Sequence, residues 1–87
     1  MPEYLVESPH SKEECLKVLD EIKQEQPEML DRYRFGCMAG EHTGWITVEA
    51  NNKAEARSIL PDFLRDRARV VELNKFTPEQ IESFHRM

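Results

Sequence analysis

The stretch Phe35-Gly36-Cys37-Met38-Ala39-Gly40-Glu41-His42-Thr43-Gly44-Trp45-Ile46 carries a chain reversal, a thiol, an imidazole and the only tryptophan of the chain. Gly40 lies at its middle with Gly36 and Gly44 on either side, and small residues gather where a backbone must turn back tightly. The reversal is predicted at residues 39–41, with one strand entering over 33–38 and another leaving over 42–50. In the leaving strand Ile46, Val48 and Ala50 alternate with Trp45, Thr47 and Glu49. A period of two means a strand with two distinct faces.

On the N-terminal side, Tyr4-Leu5-Val6-Glu7-Ser8 is rich in strand formers and Pro9 ends it. Ser11-Lys12-Glu13-Glu14 has the pattern of a capping box, in which the serine oxygen and the Glu14 carboxylate exchange bonds with each other's backbone N–H. A helix follows, with Cys15, Val18, Leu19 and Ile22, together with Leu16, on one face. Pro27 ends it, and Glu28-Met29-Leu30-Asp31 reads as an extra turn.

On the C-terminal side, Asn51-Asn52 offers a helix cap with Glu55 three residues after Asn52. Ala56, Ile59, Leu60, Phe63 and Leu64 supply a buried stripe that Pro61 must kink or break. Val70-Val71-Glu72-Leu73 is a fourth strand. Thr77-Pro78-Glu79-Gln80 then starts a last helix with a threonine cap, proline at the first helical position and Gln80 closing the box; it carries Ile81, Phe84 and His85.

The element order is therefore β-α-β-β-α-β plus a terminal helix. Two split βαβ units of this kind build an α+β ferredoxin-like sandwich, with helices on one face of an antiparallel sheet. Both sides of the strands carry apolar groups, however: Leu5 against Tyr4 and Val6, Trp45 against Ile46 and Val48, Val70 against Val71 and Leu73. A second apolar face needs cover, and a second copy of the chain, a homodimer, is the economical supplier.

Composition bounds the partners. Eighty-seven residues make one domain, 1–87, with 39% hydrophobic and 33% charged side chains, as in a globular chain. The net charge is −5 and the pI about 5.2, whereas affinity for phosphate backbones rests on clustered Lys and Arg. Arg65-Asp66-Arg67-Ala68-Arg69 is too short and too interrupted to reverse this, so nucleic acid is not an expected partner. No apolar run approaches the roughly 20 residues of a membrane span, and no secretory signal pattern appears, so a cytoplasmic location without a membrane partner is expected. Cys15 and Cys37 are expected as free thiols.

With this pattern, the opening Tyr4-Leu5-Val6-Glu7-Ser8-Pro9-His10 and the Gly40-Glu41-His42-Thr43-Gly44-Trp45 hairpin resemble small uncharacterised members of the dimeric α/β-barrel group of ferredoxin-like proteins. That group includes muconolactone-isomerase-like, YciI-like and antibiotic-monooxygenase-like domains. The resemblance implies a dimeric barrel with a cleft between sheets, and a metal-binding role is among those its small members are given. It implies no catalytic set, because the scaffold hosts unrelated chemistries.

Chain topology gathers the candidate site. With the first and second strands parallel and the third between them, the end of strand one, the start of helix one and the hairpin share one pole. His10, Cys15, Cys37 and His42 belong to those places. They are the donor types of a zinc, nickel or copper site. His10, Cys37 and His42 are the first candidates; Cys15 falls on the apolar stripe of its helix and reads first as a buried residue. An alternative is a small cofactor-independent enzyme, isomerase- or monooxygenase-like, with His10 or His42 as acid/base in a dimer cleft. Tyr4 and Trp45 would then form an aromatic wall for a small ligand, with Glu7 or Glu49 orienting an imidazole. Thiol redox chemistry would require Cys15 and Cys37 to meet in space.

Overall fold

The computed structural model describes residues 1–86. β1 (Glu3–Pro9) leads through a short 3-10 turn (Lys12–Glu14) into α1 (Cys15–Glu25), and a second 3-10 segment (Pro27–Arg32) leads to β2 (Arg34–Phe35). A third 3-10 turn (Cys37–Ala39) and β3 (Thr43–Glu49) follow, then α2 (Lys53–Arg57), α3 (Asp62–Arg65), β4 (Arg69–Leu73) and α4 (Pro78–His85). The strands form one open antiparallel sheet in the order β2-β3-β1-β4.

The local signals act where they were expected. Asn52 Oδ1 accepts from the Glu55 backbone N–H at 2.8 Å, which caps α2. The Thr77 N–H donates to Gln80 Oε1 and the Gln80 N–H to Thr77 Oγ1, at 2.8 and 3.1 Å, closing the box at α4. The Ser11 N–H donates to Glu14 Oε1 at 2.8 Å. Pro61 separates α2 from α3, since it has no N–H for a continuing helix and stands as the cap of the next one.

The core lies between one face of the sheet and the helices. Tyr4, Val6, Ile46, Val48 and Val70 meet Val18, Ile22, Ala56, Leu60 and Leu64 there. The helical layer is tied together at its surface. Arg67 donates to both carboxylate oxygens of Glu14, each at 2.8 Å. These bonds, with the Ser11 N–H, hold the Glu14 carboxyl down at about 2. Lys17 sits 4.2 Å over the Phe63 ring, and Gln26 Nε2 donates to the Ile59 carbonyl at 2.8 Å. The start of α1, from which Cys15 projects, is thereby anchored to the chain around α3. Tyr33 is buried and stacked on Phe35, and burial raises its phenol to about 12.

Two expectations are corrected. The entering strand is Arg34–Phe35 only; Cys37 and Met38 lie in the 3-10 turn that replaces its end. The chain leaves the ladder because Gly36 closes a turn of its own, accepting from the Ala39 and Glu41 N–H groups at 2.9 Å each. Leu16 is not on the buried stripe but 72% exposed, since α1 buries Val18 and Ile22 and Leu16 points away from that line. In α4, Ile81 and Phe84 are exposed, as are Phe76 and His85, and the Phe76 and Phe84 rings meet edge to face at 5.5 Å between centroids.

The far face of the sheet is open. Leu5, Trp45, Val71 and Leu73 are half-buried there among Arg34, Thr47 and Glu49, which are exposed. A depression of about 250 Å³ lies beside Trp45, bounded by Leu5, Arg32, Arg34, Ile46 and Thr47.

Candidate metal centre

His10, Cys15, Cys37 and His42 converge at one end of the sheet, each presenting one ligand atom, and these atoms all lie within 4.8 Å of one another. Four segments deliver them. His10 follows β1, and its N–H donates to the His42 carbonyl at 3.0 Å, which extends the β1–β3 pairing by one step beyond Pro9 and Thr43. That bond fixes the two histidines as neighbours, with ring centroids 6.3 Å apart. Cys15 is the first residue of α1. Cys37 opens the 3-10 turn of the hairpin.

The hairpin is built to bring Cys37 back toward His42. The Gly36 N–H donates to the Thr43 carbonyl at 3.0 Å, and the Gly40 N–H to the Cys37 carbonyl at 3.1 Å. Gly40 closes the turn at φ 89°, where a side chain is strained. A Cβ on Gly36 would come within 2.7 Å of the Glu41 carbonyl oxygen, so the loop folds this tightly only around a glycine.

Inside the cluster, His10 Nε2 lies 3.1 Å from Cys37 Sγ, Cys15 Sγ lies 3.0 Å from Cys37 Sγ, and His42 Nδ1 lies 3.2 Å from Cys15 Sγ. His10 Nδ1 lies 3.2 Å from the Ser8 carbonyl, an acceptor, so that nitrogen carries the proton and Nε2 presents its lone pair to the cluster. A backbone carbonyl orienting a histidine in this way is the usual outer contact of a metal-ligating imidazole. His10 is buried and the other three are half-buried, so the site is anchored on one side and reachable from solvent on the other.

The spacing fits a small cation. Zinc–sulfur and zinc–nitrogen bonds of about 2.3 and 2.0–2.1 Å in a tetrahedron give edges of roughly 3.3 to 3.8 Å. The three contacts of 3.0 to 3.2 Å fall short of that range, so a central ion requires them to open by about 0.4 to 0.8 Å. Without an ion the two sulfurs crowd each other. Burial and the adjoining Cys15 sulfur push the Cys37 thiol from 9.0 up to about 11. At neutral pH Cys37 therefore holds its proton, and binding an ion must release it.

The structure thus brings together His10, Cys37 and His42 as expected and adds Cys15 as a full member of the cluster. Cys15 is half-buried because it stands at the end of the stripe, ahead of Val18 and Ile22, beyond the packed layer. One sequence signal for the complete set is its mirror spacing, His-x4-Cys at residues 10–15 and Cys-x4-His at residues 37–42.

The aromatic wall is not assembled. Tyr4 is 4% exposed on the helix-covered face, opposite Val48, whereas Trp45 pairs with Glu7 on the open face. The parity of the β1–β3 register separates them, because successive side chains point to opposite faces. Glu7 faces Arg69 at 4.0 Å and makes no hydrogen bond to either imidazole among the described residues, nor does Glu49. Cys15 and Cys37, for their part, do meet.

Comparison with protein-family models, with curated proteins and with solved structures finds no match to this chain. Among the described residues no helix is long and apolar enough to cross a membrane.

Proposed function

We propose that the chain is a metal-binding protein that holds one transition-metal ion with His10, Cys15, Cys37 and His42. The observation that carries this reading is the convergence of the four ligand atoms within 4.8 Å. Two thiolates and two imidazoles are a donor set that suits zinc best, with nickel and copper as the competing ions. Four protein donors fill a tetrahedral sphere and leave no open position for a substrate. The site is accordingly one for binding the ion and bracing the fold around it, not for catalysis on it. The enzyme alternative draws no comparable support, since the Tyr4 and Trp45 side chains lie on opposite faces of the sheet.

Elemental analysis of tag-free protein, purified without chelator, tests the reading. The parent is expected to carry stoichiometric metal, as purified or after incubation with zinc, nickel or copper salts, and a His10→Ala/His42→Ala double variant none. A parent that stays empty after all three incubations removes the proposal.

We further propose that the sheet belongs to the ferredoxin-like class and that the chain pairs as a homodimer, in the manner of the dimeric α/β-barrel group. The strand order and the two helical crossovers support the first statement. The open face around Leu5, Trp45, Val71 and Leu73 supports the second, as do Phe76, Ile81 and Phe84 at 59%, 47% and 52% exposure: both are apolar surfaces that a single copy leaves uncovered. Sedimentation at micromolar concentration is expected to give a species of twice the 10.3 kDa chain mass; a 10.3 kDa species alone would refute the dimer.

A further inference from the structure

We propose that Cys15 and Cys37 are also a dithiol–disulfide couple, oxidised by hydroperoxides, and that closing the disulfide expels the metal. The second half rests on the metal reading; the first does not.

The sulfurs come from residues 22 positions apart, one on α1 and one on the hairpin turn, yet lie 3.0 Å from each other. A disulfide of about 2.05 Å requires them to approach by roughly 1 Å. Neither cysteine is held in a disulfide with another residue. Both residues are half-buried, so a small oxidant reaches them while a bulky thiol partner is hindered. The elements that carry them are held by long-range bonds, Arg67 to Glu14 for the start of α1 and His10 to the His42 carbonyl for the hairpin. The folded chain therefore keeps the two sulfurs at a high effective concentration.

The chemistry balances with a hydroperoxide as the two-electron oxidant. One sulfur attacks the terminal peroxide oxygen and breaks the O–O bond, giving a sulfenic acid and an alcohol, or water when the oxidant is hydrogen peroxide. The second sulfur attacks the sulfenic sulfur, the S–S bond forms and water leaves. Two thiols and one hydroperoxide yield one disulfide, one alcohol and one water, with both thiol protons accounted for in the products. From the metal-loaded state the sulfurs start as thiolates, so two protons from solvent complete the alcohol and the water instead, and the divalent ion leaves. It leaves because a disulfide sulfur carries no thiolate charge to donate, and two imidazoles alone make a weak site.

The test treats metal-free and zinc-loaded protein with a small excess of hydrogen peroxide and reads intact mass, peptide cross-links and free zinc by a chromogenic chelator. The expected product is a monomer about 2 Da lighter, with peptides containing Cys15 and Cys37 cross-linked. Cross-linking should be at least about tenfold faster in native buffer than in urea, because folding supplies the proximity. Zinc release should match the disulfide formed, and dithiothreitol should reverse both. Sulfinic acid adducts without a cross-link, disulfides between chains, or equal rates in urea each overturn the couple. If the cross-link forms in a chain that takes up no zinc, nickel or copper, the metal reading fails and the couple stands. If zinc binds and stays while the sulfurs cross-link, the expulsion step is refuted.

Discussion

Zinc supplied at one hundred times its dissociation constant is expected to raise the unfolding free energy by about 2.7 kcal/mol. For a domain of this size that corresponds to a rise in melting temperature of roughly 10 to 20 °C. The gain arises because the ion binds the folded chain, where the end of β1, the start of α1, the hairpin turn and the start of β3 converge, and not the unfolded chain, where they separate. Differential scanning calorimetry with and without zinc measures it. The His10→Ala/His42→Ala variant, which lacks both imidazoles, should show less than a quarter of the shift. The shift should also shrink as pH falls, because protons compete with the ion for its donors and the Cys37 thiol, pushed up to about 11, must already give one up at neutrality. A shift that is equal in parent and double variant would mean that zinc binds elsewhere.

The second large effect is predicted in the core. Ile22→Ala should cost about 2 to 5 kcal/mol, the usual range for deleting a fully buried aliphatic side chain. Ile22 is 1% exposed, and with Val18 it supplies all the fully buried surface of α1. A small domain has a total stability of about 5 to 15 kcal/mol, so the loss is a large share of it. Urea denaturation followed by circular dichroism measures it, and saturating zinc should restore a gain close to that of the parent. Residue 22 lies two turns along α1 from Cys15, so the cavity and the metal site share a helix but no contact. A cost below about 1 kcal/mol would contradict the packing of α1 on the sheet.

The first expectation depends on how Cys15 is placed, and that is where local reading reaches its limit. Its spacing with Val18 and Ile22 reads as core. In the folded chain the core ends one turn later, and Cys15 stands at the rim facing Cys37. The periodicity of a helix says which side faces inward but not how far along the helix the covering layer extends. Cys37 shows the same limit. Alternation alone carries the entering strand on to Met38, whereas the glycine-closed turn lifts Cys37 out of the ladder and aims it at the cluster.

The sequence by itself determined the element order, the helix starts at Ser11, Asn52 and Thr77, the break at Pro61 and the two-faced character of β3. It also gathered His10, Cys15, Cys37 and His42 at one pole, with Cys15 reading first as a buried residue. Each of these follows from interactions among residues a few positions apart: a cap, a missing N–H, a period of two or of 3.6. Only the tertiary structure decided that Cys15 faces Cys37 as the fourth member of the His/Cys cluster, that Tyr4 and Trp45 turn away from each other, and that α4 exposes its apolar side chains. Those outcomes depend on strand register, on the reach of the core and on contacts between segments more than twenty residues apart, such as Cys15 with Cys37 and His10 with His42. A one-residue change of register moves a side chain to the other face of the sheet, and no pattern within a single strand encodes it.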